Sequence, residues 1–171
     1  MDELRSAVRD IPDFPKPGIL FKDITPLLQD ARLFAQAIDL MAARVAGHRP
    51  TQIVAIESRG FLFGAPLAVK LGAGLVIVRK PNKLPFKTQK LEYALEYGTD
   101  TLEMHVDALK ANDRVVVVDD LLATGGTALA TAQLVEKIGA SVDALLFFSE
   151  LPFLNGREKL SAYTVEALIE F

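Results

Sequence analysis

Residues 114–127 read RVVVVDDLLATGGT, and no other stretch restricts so tightly what this 171-residue chain can fold into. Four consecutive valines, Val115, Val116, Val117 and Val118, have the pattern of a strand buried on both faces, as in a parallel sheet. Two acids, Asp119 and Asp120, follow where that strand is expected to emerge. Ala123, Thr124, Gly125, Gly126 and Thr127 come next, and then an alanine-rich amphipathic run to Ile138. A strand, a short glycine and threonine loop and a helix start are how α/β proteins hold a phosphate. Glycines let backbone N–H groups approach the anion, hydroxyls add donors, and the helix N-terminus adds partial positive charge. The acids would repel a bare phosphate, so they need another task. A carboxylate can accept two hydrogen bonds from the vicinal hydroxyls of a ribose. Diol and phosphate side by side describe a ribose 5-phosphate.

Other phosphate signatures fail. The chain has no G-x-x-x-x-G-K-[ST], and its one G-x-G, Gly72-Ala73-Gly74, leads into an apolar strand-like run instead of opening a helix. With no cysteine there is no disulfide framework, thiolate chemistry or zinc–cysteine site. A net charge of −3 gives no support for a nucleic-acid partner, which usually needs a basic face. The N-terminal segment is charged and unlike a signal peptide, and no apolar run approaches a membrane span. A cytoplasmic protein of one domain, spanning residues 1–171, is therefore expected.

Along the chain, a short helix is expected over residues 2–9. An irregular path enforced by Pro12, Pro15, Pro17 and Gly18 follows, then a helix over residues 31–46 stopped at Gly47. Residues 53–56 read as a strand, 61–71 as a helix and 75–78 as a strand. Segments 87–97 and 101–106 read as a hairpin around Gly98-Thr99-Asp100. Strand 115–118, helix 127–138 and strand 142–148 complete alternating βαβ units, with a last short strand over 163–169. This alternation predicts an α/β fold: a mostly parallel twisted sheet with helices on both faces, binding ligands beyond the carboxyl ends of its strands.

Glu57-Ser58-Arg59-Gly60-Phe61 is a second strand–loop–helix junction. Arg59 brings a planar fork suited to bidentate phosphate binding, though alone it reads first as a surface arginine. Arg79, Lys80, Lys83, Lys87 and Lys90 crowd twelve positions; they are either a solvated loop or cations beside the phosphate site. His48 and His105 lack partners at metal or triad spacing and read as structural.

The series V-V-V-V-D-D-L-L-A-T-G-G-T resembles the phosphoribosyl diphosphate (PRPP) motif of type I phosphoribosyltransferases, and S-R-G-F resembles their diphosphate loop. The segment D-F-P-x-P-G-x-x-F-x-D-I, residues 13–24, is similar to the hood of the adenine-specific members. Leu95-Glu96-Tyr97-Gly98 resembles their flexible catalytic loop. The resemblance runs from Asp13 to about Tyr163. It implies transfer of the phosphoribosyl group of PRPP to adenine, giving AMP and diphosphate, with Mg²⁺ as cofactor and a homodimeric assembly. It also implies a hood of about residues 1–30 and a lid over about 80–96 that excludes water. By the same resemblance, Ser58 and residues 123–127 bind PRPP, Asp119 and Asp120 hold the ribose diol directly or through Mg²⁺, and Arg59, Arg79, Lys80 and Lys83 neutralise the diphosphate. Glu96 matches the glutamate that manages the purine proton; with Arg59 and Asp120 it forms the expected catalytic set. Leu20, Phe21 and Lys22 would meet the adenine, with Phe21 stacking on the base; without the resemblance Phe21 reads first as a buried anchor of the N-terminal segment. The family usually has arginine at the position of Lys22. Two rivals share the PRPP motif: a transferase for a 6-oxopurine such as hypoxanthine or xanthine, and a PRPP-sensing transcription regulator without the chemistry.

Overall fold

The computed structural model describes residues 1–94 and 98–171. Its centre is a five-stranded parallel sheet built from β3 (Gln52–Ile56), β4 (Gly74–Val78), β7 (Arg114–Leu122), β8 (Ser141–Glu150) and β9 (Val165–Glu170). The strand order is β4-β3-β7-β8-β9. From β3 the chain runs outward to β4, and when it returns as β7 it builds in the opposite direction. The junction of β3 and β7 is therefore a topological switch point, where an open α/β sheet leaves a crevice.

The valine strand is buried on both faces, as expected, and its alternation divides the core in two. Val116 and Val118 join Ile53, Leu146 and Phe148 under α3 (Ala31–Val45) and α4 (Gly60–Leu71). Val115 and Val117 join Val54, Leu145 and Phe147 under α5 (Gly126–Ile138). Helices thus cover both faces. The second face is extended by an antiparallel ribbon of β5 (Thr88–Ala94) and β6 (Thr99–His105), whose Leu102 and Met104 are buried. Thr99 and Asp100 lie inside that pairing, opposite Ala94 and Tyr93, and are not part of the turn.

Three expectations are corrected. The strand does not end at Val118: β7 continues through both acids to Leu122, because Asp119, Leu121 and Leu122 stay paired with Phe147, Ser149 and Glu150 of β8. On the other side the pairing with β3 stops at Ala55↔Val118, so the acids emerge beside β3 while still held by β8. The N-terminal segment is more regular than its prolines suggest. Helix α1 (Asp2–Ser6) is followed by β1 (Arg9–Pro12), paired antiparallel with β2 (Leu20–Asp23). The prolines are confined to the end of β1 and to the connection, where they remove no ladder bond, and Asp13 accepts from the Gly18 N–H at 2.8 Å to close it. The short helix α2 (Thr25–Gln29) then leads into α3. Finally, α3 is not stopped by Gly47. A 3₁₀ turn over Ala46–His48 carries the chain to Arg49, whose φ of 49° makes the left-handed stop.

Candidate active site

The loop after β7 turns into α5 at Gly125, where φ is 77° and an added Cβ would stand 2.6 Å from the carbonyl of Gly156. Both the sign of φ and the close approach require glycine. No side chain caps the start of α5 and no acid lies in its first turn. Its leading N–H groups are thus available to an anion. They face a pocket of ≈ 200 Å³ lined by residues 121–128, Arg59, both acids and Phe147. The sequence-predicted members Ala123, Thr124, Gly125, Gly126, Thr127, Asp119, Asp120 and Arg59 therefore converge on one cavity.

Asp120 is 3% exposed and Asp119 half-buried. Asp120 Oδ2 forms an ion pair with Arg59 Nε at 2.9 Å, and Asp119 Oδ1 accepts from the Asp120 N–H at 2.9 Å. Burial pushes the Asp119 carboxyl well above the usual aspartate range, reinforced by the negative charge of Asp120. Burial also raises Asp120, against the opposing pull of Arg59. Two adjacent acids in this state favour any ligand that brings donors or positive charge. Gly60 makes room for them: a Cβ there would lie 2.8 Å from Val118 O and 3.0 Å from Asp119 Oδ1.

Arg59 also connects the acids to the N-terminal hairpin. Its guanidinium carbon is 5.2 Å from the centroid of the Phe21 ring, within cation–π range. Phe14 meets the same ring edge-on at 5.1 Å. Phe21 is half-buried, with one face given to the cation, so it is not a core anchor. Its neighbours along β2 point the other way. Leu20 is exposed, and Lys22 bonds Asp10 at 2.7 Å and stands over the Phe171 ring at 4.4 Å. The Lys22 side chain is thus engaged away from Phe21.

The basic run proves to be mostly paired. Arg79 forks onto Glu57 through Nε at 3.2 Å and Nη2 at 2.9 Å, and its Nη1 reaches the Lys83 carbonyl at 3.2 Å. The Lys80 N–H also donates to Glu57, at 2.8 Å. Hydrogen bonding from Arg79 holds the Glu57 carboxyl below its usual range, against the effect of burial. The Lys80 ammonium is paired with Asp100, and Lys90 with Glu103 at 2.6 Å. Lys83 and Lys87 are exposed, as is Ser58. Glu57 gathers Arg79 and Lys80 beside the Ser58-Arg59 loop, a function that sequence reasoning missed; its place between strand β3 and the S-R-G-F series was the available signal. Leu95, Glu96 and Tyr97 lie outside the described residues.

Among the described residues no three His, Cys, Asp or Glu side chains converge to cage a metal ion. Two adjacent carboxylates, one already bonded to arginine, fit a hard cation that arrives with phosphate oxygens and keeps much of its water, as Mg²⁺ does. No described helix is long and apolar enough to cross a membrane.

A parallel α/β sheet with a phosphate-type loop and a paired-acid strand end at its switch point defines a class, and the comparisons agree with it. Residues 24–151 match the phosphoribosyl transferase domain, and the chain belongs to the phosphoribosyltransferase family. It is 57% identical over 171 residues, 100% of this chain and 99% of the other, to the adenine phosphoribosyltransferase of Thermoanaerobacter sp. (strain X514). The crystal structure of adenine phosphoribosyltransferase from Thermoanaerobacter pseudethanolicus superposes with a TM-score of 0.97 at 56% identity, covering 99% of both chains. The Saccharomyces cerevisiae enzyme, complexed with D-2,5-dideoxy-2,5-imino-altritol 1,6-bisphosphate and adenine, gives a TM-score of 0.93 at 42% identity, covering 98% of this chain and 97% of that one.

Proposed function

We propose that the chain transfers the 5-phosphoribosyl group of PRPP to adenine, producing AMP and diphosphate. The observation that carries this reading is the span of Arg59, which touches the buried acid Asp120 on one side and the face of Phe21 on the other. It joins an aromatic ring, a cation and a pair of acids next to the loop of residues 123–127, which supports a site for base, ribose and phosphate together.

The roles follow from the chemistry. The amides and hydroxyls of residues 123–127 hold the 5-phosphate. Asp119 and Asp120 accept from the ribose hydroxyls, and their burial makes those donors welcome. Arg59, with Lys80 and the exposed Lys83, faces the diphosphate; Arg79 contributes its charge while fixed on Glu57. The bond from the anomeric carbon to the diphosphate oxygen breaks and the bond to adenine N9 forms, with positive charge developing on the ribose between them. A rigid array of acids and cations stabilises both ends of that charge separation without reorganising. Glu96, two residues past β5 in sequence, is assigned to the proton that leaves the purine nitrogen. Bound Mg²⁺ supplies charge neutralisation on the leaving diphosphate, with Asp119 and Asp120 the carboxylates that would face it. Phe21 stacks on the base, and the neighbouring backbone of Leu20 and Lys22 reads its edge.

The reaction is assigned to the cytoplasm, because a polyanionic diphosphate sugar does not cross a membrane unaided. A homodimer is assigned as well. Leu62 and Val69 on one side of α4 and Leu75 on edge strand β4 are exposed, at 44%, 84% and 42%, as apolar surface that a second copy would cover. AMP formation from adenine and PRPP, dependent on Mg²⁺, is the expected assay result. Turnover with hypoxanthine or xanthine in place of adenine, or no turnover at all, would refute the assignment.

A further inference from the structure

Behind the phosphate loop, the β5–β6 ribbon packs on α5 and brings a polar chain to the loop that the mechanism above does not use. The half-buried Tyr93 hydroxyl lies 3.2 Å from Thr127 Oγ1 and 3.3 Å from Asp100 Oδ2. Asp100 is itself bonded to the Lys80 ammonium and accepts from the Thr101 N–H at 2.8 Å. We infer that Tyr93 is a positioning residue for the 5-phosphate site, orienting the Thr127 hydroxyl toward the anion. This inference rests on the proposed reading of residues 123–127.

Each hydroxyl in this chain has a single hydrogen to give. A phosphate oxygen only accepts, so Thr127 serves it by donating its single hydroxyl hydrogen. The threonine oxygen then has a lone pair facing Tyr93, and a hydroxyl is held in one rotor when a second group donates to it. Tyr93 has one hydrogen and two candidate acceptors, Thr127 and Asp100. An ionised carboxylate would ordinarily win that hydrogen. The Tyr93 hydroxyl donates to Asp100 Oδ2 at 3.3 Å, but Lys80 neutralises that carboxylate and shares the same oxygen, so once phosphate takes the Thr127 hydrogen the phenol turns its own to the freed Thr127 lone pair. The ordered chain is Tyr93 O–H to Thr127 Oγ1, and Thr127 O–H to phosphate. Lys80 has three N–H donors and can hold Asp100 while still facing the diphosphate. A purely structural Tyr93, packing its ring between ribbon and helix, would keep its function as phenylalanine.

The test is Tyr93→Phe, alone and combined with Thr127→Val, in the full chain. Losing one orienting hydrogen bond is expected to raise KM for PRPP and weaken ribose 5-phosphate binding about five- to tenfold. KM for adenine and the melting temperature should stay put. In the Thr127→Val background the second substitution should cost nothing further, because the group it acts through is gone. A Tyr93→Phe variant with an unchanged KM for PRPP, one that loses adenine and PRPP alike, or one whose effect adds in full to Thr127→Val overturns the inference. In any of those cases, wild-type conversion of adenine and PRPP to AMP leaves the proposed reaction standing; a wild type with no turnover overturns that reaction instead.

Discussion

Asp119 and Asp120 show what the site costs the fold. A carboxyl whose folded pKa lies above its unfolded value makes the native state bind the proton more tightly. Below the ordinary aspartate value of 3.8 both states are protonated and nothing is lost. As pH rises between that value and the raised folded pKa, the unfolded chain ionises first and stability falls; above the folded pKa the penalty is constant. Asp119→Asn is therefore expected to melt at a higher temperature than wild type at neutral pH, with the advantage vanishing in acid. The double change Asp119→Asn, Asp120→Asn is expected to abolish transfer while keeping the fold. Melting curves across pH check the first, and a variant less stable than wild type at pH 7 would contradict it. Retained turnover would show that the acids do not clamp the diol. At the hood, Phe21→Ala should raise KM for adenine by the loss of stacking worth about 1–3 kcal/mol, with an unchanged KM meaning that the ring serves only Arg59 and Phe14. These residues are legible in the sequence because their roles depend on local order along the chain. Glu57 is not: its partner Arg79 lies 22 positions on and reaches it only through the pairing of β3 with β4. The engagement of Lys22 with Asp10 and Phe171 likewise needs the hairpin register and the placement of the chain end.

At the scale of elements, the site depends on close approach of backbones. Gly125 and Gly156 meet across the loop, and a Cβ at Gly156 would stand 2.2 Å from the Ala123 carbonyl. Gly125→Ala combines a left-handed backbone cost of about 1–2 kcal/mol with a Cβ only 2.6 Å from the Gly156 carbonyl. It should lower the urea midpoint and raise KM for PRPP together; an unchanged KM for PRPP would mean that the loop does not grip the anion. The glycine and threonine pattern announces this loop, and the valine run announces β7. The true length of β7 is not announced, because acids look like the end of a strand. They continue it here since β8 extends beside them to Glu150. The pairing of β1 with β2 is hidden for a related reason. Clustered prolines suggest irregular chain, yet those that fall in a connection or at a strand end cost no ladder bonds.

At the scale of the whole molecule, alternating strands and helices specify a parallel sheet but leave its order open. The order β4-β3-β7-β8-β9 puts the β3 loop with Arg59 and the β7 loop with the acids side by side at the switch point. Sequence motifs 60 positions apart thereby become one pocket, and β1–β2 reaches its edge from outside the sheet, where the Phe21 ring meets Arg59. The central claim is that this pocket grips a sugar phosphate from two sides. A crystal structure with AMP bound tests it most directly. The account predicts the 5-phosphate on the amides of residues 123–127, the ribose hydroxyls on Asp119 and Asp120, and the purine against Phe21. A nucleotide bound elsewhere, with neither carboxylate in contact with its ribose, would contradict it.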